Sequence, residues 1–455
     1  MKLKSNRGRV QTALLIYLLF CVALDFAVWI WFMLHRHTPG HFFPLGERME
    51  RFGDLLRFSA KYQVGTYPFL HSNAQLFGTL FPKNYPPFGV VIYLFLLQAC
   101  SPYALPVLLA SVLGAVAVAC ALLWRRVRHL ESYRWYIGVA IFATGLFGWG
   151  TLQVVMRGNI EGLLWVAVSL GAALFARRSY RSSAVAFAIA SCIKPYPMLW
   201  FALMARHRRY REVALGLVSA AALTLASLLI IDRNPLRAWR YITGRSTFFQ
   251  DYIVAFRPFG EMTGDHSLFQ SIKTIARVVH NHGFNFPPIE STVQSNDPLA
   301  WTLYKLYLPL AALIALVVLW RVWNKPVLNQ VFALACITMV LPMVAGDYTL
   351  VLLLVPMGFF LIFLLEDVAQ GKAPLSIAKI LCFLLPCTWI MATEPLVTLH
   401  GVLKCIALLC LLAASIAIPL PSTLFGETSS EEGEAVALAS VQSSQTSKLV
   451  GDSRD

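Results

Sequence analysis

The carboxylate of Asp54 stands in the first polar stretch after an apolar N-terminal run, and a tyrosine-rich segment follows it. That segment contains Tyr62, Gly65, Tyr67 and then Tyr85-Pro86-Pro87. The order places one acid at a membrane surface, ahead of a chain that is otherwise largely apolar. A polar residue of this kind in a loop next to a scaffold is typical of an active site, here one that faces the lipid-water boundary. A solvated loop acid is the plain alternative, and Asp25, in the middle of the first apolar run, is the rival acid.

Two cations stand inside or at the end of apolar segments. Lys194 lies in Ile193-Lys194-Pro195-Tyr196-Pro197, and Arg157 precedes Gly158 and Asn159. A cation at membrane depth is costly and is usually placed against an anion, so both are candidates for an anion site. For Lys194, a lysine that snorkels to the interface or caps a helix is the alternative.

The elements that must position these side chains are membrane helices. Of the 455 residues, 58% are hydrophobic and 13% are charged, and the mean hydropathy is +0.63. Long apolar runs recur from residue 12 to residue 420, so the sequence predicts an all-α, polytopic integral membrane protein. The first run, Thr12 to Leu34, is too long for a signal-peptide core and is interpreted as a retained span.

The net charge of +15 comes largely from short basic connectors between the apolar runs. Short loops rich in Lys and Arg face the cytoplasm, so the charge indicates topology and argues against a nucleic-acid partner. Two long polar stretches, 35–84 and 231–301, are then extracytoplasmic loops. Residues 1–425 form one transmembrane domain, and the Ser- and Glu-rich residues 426–455 are expected to be a disordered cytoplasmic tail. The nine cysteines lie in apolar segments and are interpreted as packing residues without a disulfide framework.

This topology requires two irregular segments. The stretch Pro86 to Trp124 must cross the membrane an odd number of times, so we expect a short, partly re-entrant helix that starts at Pro86-Pro87, followed by one span near Tyr103 to Leu123. The stretch Ser182 to Ala205 must cross an even number of times and is too short for two spans, so we expect two half-helices that meet at Lys194.

The remaining helices give about ten crossings in total, with both termini cytoplasmic. The other spans are predicted near Trp135 to Val155, Ile160 to Ala176, Ala214 to Ile231, Thr302 to Trp320, Val331 to Ala345, Tyr348 to Leu365, Ala378 to Met391 and Leu403 to Leu420.

Four segments give the chain a family resemblance. They are Gly53-Asp54-Leu55 with Tyr62 and Gly65, Tyr85-Pro86-Pro87, Arg157-Gly158-Asn159-Ile160-Glu161 and Ile193-Lys194-Pro195-Tyr196-Pro197. In this order the chain resembles glycosyltransferase family 87, polytopic GT-C enzymes related to α-1,2-mannosyltransferases that use polyprenyl-phosphate sugars. The segments Asp265-His266-Ser267-Leu268 and Ala345-Gly346-Asp347-Tyr348 resemble family segments more weakly. Together these segments cover most of the chain up to about residue 360.

The resemblance implies transfer of a hexose, with mannose as the family's usual sugar, from a polyprenyl-phosphate donor to an extracytoplasmic glycan or glycolipid acceptor. Asp54 matches the family's loop aspartate and would be the general base of an inverting displacement. Lys194 and Arg157 would hold the leaving phosphate, and Asn159 and Glu161 would hydrogen-bond sugar hydroxyls. The further substrate-binding candidates are Tyr85, Arg257, His266 and Tyr348.

No metal or other cofactor is expected, because no Asp-x-Asp pair for a nucleotide-sugar metal is present and the histidine clusters lack carboxylate or cysteine partners. The absence of Asn-x-Ser/Thr sequons fits a bacterial inner membrane. Two other functions stay open. A polymerase or ligase of lipid-linked glycans would depend on Arg257 and His266 in the large loop, and a lipid-linked glycan flippase would use the half-helices around Lys194.

Overall fold

The computed structural model describes residues 85–96, 100, 103–127, 138, 141–142, 145–146, 148–243, 265–280, 298–370, 375–391 and 400–425, with Ile16, Phe20, Ala23 and Ala27. Fourteen α-helices are found in these residues. They are α1 Pro87–Leu94, α2 Ala104–Val127, α3 Trp149–Arg157, α4 Glu161–Ala176, α5 Tyr180–Ile193, α6 Phe201–Arg206, α7 Tyr210–Ile231, α8 Pro235–Thr243, α9 Leu268–His280, α10 Pro298–Val322, α11 Val327–Val340, α12 Leu354–Gln370, α13 Ile377–Met391 and α14 His400–Ala417.

The expected fold class, an all-α membrane protein, is confirmed. Within the described part of the chain, four helical segments are long and apolar enough to cross a bilayer: Pro106–Arg125, Tyr210–Ile231, Trp301–Val322 and Asp347–Leu364. Five shorter apolar helices of 10–17 residues pack among them. Many large apolar side chains on the long helices are exposed, among them Leu313, Leu316 and Trp320 on α10. These side chains face lipid rather than water, because their helices are apolar on every side.

Short helices lie at both irregular segments that the sequence predicts. Helix α1 begins at Pro87, directly after Pro86, and its eight residues span about 12 Å, far less than the hydrocarbon core. Helix α5 ends at Ile193, and Lys194 has extended backbone with φ −145° and ψ 148°. Pro195 disfavours helical backbone at the residue before it, so the helix breaks there and resumes as a 3₁₀ helix, Tyr196–Trp200, followed by α6.

Helix α11 is the centre of the bundle, since all fourteen of its residues are buried. Its polar residue Asn329 bonds to the end of α14. The Asn329 amide donates to the carbonyl oxygens of Ser415 and Ile418, both at 2.6 Å, and its oxygen accepts the Leu420 N–H at 2.7 Å. The last carbonyls of α14, which have no partner within the helix, are therefore satisfied by a side chain from the core.

The segment after α11 departs from the prediction. Helix α11 ends at Val340, not at Ala345, and the next span opens with a 3₁₀ helix, Asp347–Leu353, before α12 continues it. Gly150 of α3 makes this geometry possible, because a Cβ at Gly150 would lie only 2.6 Å from the Val351 nitrogen. The backbone of the 3₁₀ helix therefore lies directly on α3 at a contact that admits only glycine.

The large polar stretch after Ile231 contains two helices that its polar composition alone did not predict. Helix α8 is held at its start by Asp232, whose carboxylate accepts hydrogen bonds from the Arg237 guanidinium at 2.8 and 2.9 Å. Helix α9 packs its buried face against α10 and α14. Just before α9, Asp265 forms an isolated antiparallel bridge with Gly346. The large loop is thus joined by its backbone to the segment that precedes the 3₁₀ helix Asp347–Leu353.

Candidate active site

A buried ion pair lies where α4 begins and α5 breaks. Glu161 is the first residue of α4, and its carboxylate lies 3.8 Å from the Lys194 ammonium. The Tyr196 hydroxyl donates a hydrogen bond to the other Glu161 oxygen. Glu161 is 1% exposed and Lys194 is 8% exposed, so a charge of each sign is held within the apolar bundle. Buried charges are tolerated when they are paired and hydrogen-bonded in this way.

The turn between α3 and α4 aims Glu161 at this position. Gly158 ends α3 in the left-handed conformation, with φ 60° and ψ 42°, which a residue without Cβ adopts readily. The side-chain oxygen of Asn159 then accepts the Glu161 N–H at 2.8 Å, as short polar side chains do at helix starts. Asn159 therefore fixes the first turn of α4.

Two tyrosines complete the cluster: Tyr85, which lies just before the short helix α1, and Tyr93, which lies near the end of α1. The Lys194 Nζ lies 4.0 Å from the centre of the Tyr85 ring, a cation-π contact. The Tyr93 hydroxyl donates to the Tyr85 hydroxyl at 3.3 Å and accepts the Ile160 N–H at 3.4 Å. We call Tyr85, Tyr93, Glu161, Lys194 and Tyr196 the junction cluster. It joins three helix ends and presents an ammonium, a carboxylate and phenolic hydroxyls in one place, a set that can bind an anion and polar hydroxyl groups.

A second polar cluster lies next to it along the 3₁₀ helix Asp347–Leu353. The Asp347 carboxylate lies 3.1 Å from the Lys404 ammonium and 3.5 Å from His266 Nδ1. The other imidazole nitrogen of His266 lies 3.1 Å from the Thr349 hydroxyl. His266 and Lys404 are both 0% exposed.

Asp265 and Lys273 extend this second cluster into the large loop. One Asp265 oxygen accepts the N–H groups of Ser267 and Ala345 at 2.9 and 3.0 Å. Burial raises the pKa of the Asp265 carboxyl, and these hydrogen bonds oppose the shift. Burial also lowers the pKa of Lys273 to about 8, although the negative charge of Asp265 acts against the shift. We call Asp265, His266, Lys273, Asp347, Thr349 and Lys404 the anchor cluster.

Tyr348 connects the two clusters. It follows Asp347 directly, and it lies close enough to Tyr196 to interact with it electrostatically. Its ring packs on Gly346, where a Cβ would come within 2.5 Å of the ring. The 3₁₀ helix therefore carries Asp347 into the anchor cluster and Tyr348 toward the junction cluster.

The structure brings together four of the side chains predicted from the sequence: Tyr85, Asn159, Glu161 and Lys194. It places Tyr348 within electrostatic range of Tyr196, and it places His266 in the anchor cluster. Arg157 ends α3 one turn before Glu161, but its side chain lies outside the described residues, as do Asp54 and Arg257. Within the described part of the chain, no group of three His, Cys, Asp or Glu residues is arranged to hold a metal ion.

Several polar residues of the two clusters were not predicted. The same rule that selects Lys194, a cation within an apolar run, also selects Lys404, which lies in the apolar run that forms α14. Asp347 lies in the segment Ala345 to Tyr348, from which only Tyr348 was predicted as a site residue. The contacts of Asp347 with Lys404 and His266 become visible only in the structure. Lys273 carries no sequence signal, since its burial depends on how α9 packs.

None of the curated proteins and none of the solved structures that were compared matches this chain. The family model described as Glycosyltransferase family 87 matches residues 84–356, which include both the junction cluster and five of the six anchor residues. The match spans more than half of the 455 residues and supports a membrane glycosyltransferase. The chain belongs to glycosyltransferase family 87.

Proposed function

We propose that this membrane glycosyltransferase moves a hexose, mannose, from a polyprenyl-phosphate donor to a glycan or glycolipid acceptor on the extracytoplasmic side of a bacterial inner membrane. Asp54 is the general base, and the anomeric centre is inverted. The observation that carries the proposal is the junction cluster, because its ammonium and carboxylate are buried among apolar helices of a family 87 chain. A phosphate attached to a lipid tail can approach such a site from within the bilayer.

In this mechanism, Asp54 removes the proton of the acceptor hydroxyl as that oxygen attacks the anomeric carbon of the donor. The bond between the anomeric carbon and the phosphate oxygen breaks, and its electron pair goes to the leaving polyprenyl phosphate. A single displacement with one carboxylate inverts the centre, so a β-linked donor gives an α-linked product. This GT-C type of reaction needs no bound metal if cationic side chains stabilise the phosphate.

Lys194 and Arg157 are proposed to stabilise that phosphate. The contacts of Lys194 with Glu161 and with the Tyr85 ring support this role, because they hold the ammonium in place before the negative charge develops. Asn159 and Glu161 bind sugar hydroxyls, and Tyr85 forms a wall of the site.

The other substrate-binding candidates lie outside the junction cluster. Tyr348 contacts substrate from the side of the 3₁₀ helix, and Arg257 binds the donor or acceptor from the large loop. The complete burial of His266 favours an indirect role, in which it holds Asp347 and thereby the helix that carries Tyr348.

Transfer of radiolabel from polyprenyl-phosphate mannose, measured in membranes that contain wild-type protein or the Asp54→Asn variant at equal levels, tests the proposal. Removal of a general base is expected to reduce the rate by about 10²–10⁴-fold. Glu50→Gln, another acid of the same polar stretch, is the matched control and should retain activity. Undiminished transfer by Asp54→Asn would reject Asp54 as the base. If the wild-type protein transferred label from polyprenyl-phosphate glucose but not from polyprenyl-phosphate mannose, mannose would be rejected as the donor sugar and the mechanism would stand.

A further inference from the structure

A cavity lies between helices α2, α4 and α12, beyond the first turn of α4. Its volume is about 550 Å³, within the range of roughly 300–1,000 Å³ typical of ligand pockets. It extends along α4 from Trp165, one turn after Glu161, to Arg177, which follows the last residue of the helix. These two residues are about 18 Å apart along the helix axis.

The lining of this cavity is apolar along its length and charged at one end. Aliphatic side chains such as Val116, Leu123 and Leu361 form its walls, and Arg177 is the one charged lining residue among those the structure describes. Arg177 belongs to a short basic connector, Arg177 to Arg181, and such connectors face the cytoplasm. The charged end of the cavity therefore lies at the cytoplasmic interface, opposite to the end near the junction cluster.

The cavity opens sideways at this end and contains polar atoms deeper inside. Leu122 and Ala173, which both line it, are exposed, so its mouth faces the acyl chains of the bilayer. Deeper in the wall, Trp165 is 4% exposed, and its indole N–H has no hydrogen-bond partner among the described residues. The same is true of the buried Ser169 hydroxyl. Buried polar atoms without a protein partner usually contact water or a ligand.

We propose that this cavity binds an anionic phospholipid of the cytoplasmic leaflet, with one acyl chain along α4 and the phosphate at Arg177. The length fits, since half of the hydrocarbon core is about 15 Å. The charge also fits, because cytoplasmic leaflets are anionic and basic side chains at that surface attract them. The tail of a donor whose phosphate lay at Lys194 would reach Arg177 with an uncharged end, for which the guanidinium offers no matching contact. The inference concerns a lipid that stays bound between reaction cycles, and it does not depend on the proposed function.

Gly358 allows the cavity to be filled without disturbing its walls. It lines the cavity on α12, and a Cβ there would meet no atom within 4 Å. Gly358→Leu should therefore occupy the space of the acyl chain. Gly114→Leu on α2 is the matched control, because Gly114 is also surrounded by open space but does not line the cavity.

The test uses full-length protein that has been purified, stripped of lipid and incubated with phosphatidylglycerol, after which the bound lipid is measured by mass spectrometry. Wild type and Gly114→Leu should retain the lipid, and Gly358→Leu should lose it while its thermal stability without lipid is unchanged. Equal retention by Gly358→Leu would reject the cavity as the binding site. A wild-type protein that binds polyprenyl phosphate in preference to phosphatidylglycerol, with loss in Gly358→Leu, would also overturn the proposal and assign the cavity to the donor tail.

The headgroup is tested by a second pair of variants. Arg177→Gln should weaken the binding of phosphatidylglycerol about fivefold, whereas Arg181→Gln, an exposed arginine of the same connector, should leave it unchanged. Equal binding by Arg177→Gln and wild type, or wild-type binding of phosphatidylcholine as tight as that of phosphatidylglycerol, would reject Arg177 as the headgroup contact.

Discussion

The junction cluster and the anchor cluster are built from the same kinds of groups, but they differ in access. Each holds a lysine beside a carboxylate at a break in regular α-helix, with hydroxyl groups around the pair. The difference lies in the cations: in the junction cluster the Lys194 side chain is 11% exposed and Tyr196 is half-buried, while the Glu161 side chain is 2% exposed. In the anchor cluster, the side chains of His266 and Lys404 are both 0% exposed, and that of Asp347 is 6% exposed.

This difference in exposure lets a ligand reach Lys194 but leaves Lys404 for contacts within the protein. A closed ion pair stabilises the fold chiefly because loss of one partner would leave the other charge buried. A partly open pair can exchange one of its contacts for a substrate group. We therefore expect substitutions in the anchor cluster to lower stability first, and substitutions in the junction cluster to lower transfer first.

Lys404→Met should give the largest loss of stability. It leaves the Asp347 carboxylate buried without its ammonium partner, which typically costs about 3–5 kcal/mol. Thermal unfolding of the purified protein in detergent measures the effect, and Lys379→Met, at an exposed lysine of α13, is the control. The double variant Lys404→Met with Asp347→Leu should recover much of the loss. A single variant as stable as wild type would show that the anchor cluster does not hold the fold.

Lys194→Met should reduce transfer from the lipid donor about 10- to 100-fold, the effect of losing a contact between an ion and a charged group. Its melting temperature should fall less than that of Lys404→Met, because Glu161 keeps the Tyr196 hydrogen bond and its 3.8 Å contact with Lys194 is longer than the 3.1 Å contact of Asp347 with Lys404. Lys305→Met, at an exposed lysine of α10, should change neither property. The comparison between the clusters fails if Lys194→Met unfolds as easily as Lys404→Met and the surviving protein transfers sugar normally.

Gly150→Ala tests the element that the two clusters share. The added Cβ would collide with the backbone of the 3₁₀ helix at Val351, and such overpacking costs about 1–3 kcal/mol. Because that helix carries both Asp347 and Tyr348, stability and transfer should fall together. Gly114→Ala, in open space, should be neutral or stabilising. Unchanged transfer in a destabilised Gly150→Ala protein would mean that Tyr348 does not depend on the position of the 3₁₀ helix.

The pH dependence of stability gives the smallest expected effect per pH unit, and its difference between wild type and Lys273→Met reports on Lys273. Its native pKa of about 8 lies below the ordinary value of 10.5, so between these values the native state binds fewer protons than the unfolded state. Stability from this group should therefore rise with pH over that window, by at most about 1.4 kcal/mol per pH unit. Melting curves of wild type and Lys273→Met from pH 7 to 10 measure it, and the variant should lack the rise. Parallel curves would contradict the buried position of Lys273.

Much of the fold could be predicted from the sequence because lipid imposes simple requirements. The apolar runs, the basic connectors and the odd or even number of membrane crossings between them were enough to predict the short helix at Pro87 and the break at Lys194. The end of α11 and the 3₁₀ helix after Gly346 were not predicted, although Pro342 disfavours helical backbone at Leu341 and was a missed signal for the helix end. Their geometry depends on contact with Gly150, which is far away in the chain.

The candidate site could be predicted only where one residue carries the signal by itself. A lysine within an apolar run stands out, and the family resemblance of the segment Arg157 to Glu161 directed attention to Asn159 and Glu161. The anchor cluster requires knowing that Asp265 pairs with Gly346 and that α9 turns Lys273 inward. Such pairings across eighty residues leave no periodic pattern in a single sequence.

The bridge between Asp265 and Gly346 also limits how this protein can be recombined with its relatives. Helix α9 starts only three residues after the bridge, and a deletion in that short segment would turn the helix by about 100° and carry Lys273 out of the core. Insertions upstream of Asp265 leave this register unchanged. A chimera that took the large loop from one family member and the late spans from another would separate two segments that pair through their backbones. Residues 265–280 and 345–349 therefore need to be exchanged as one unit.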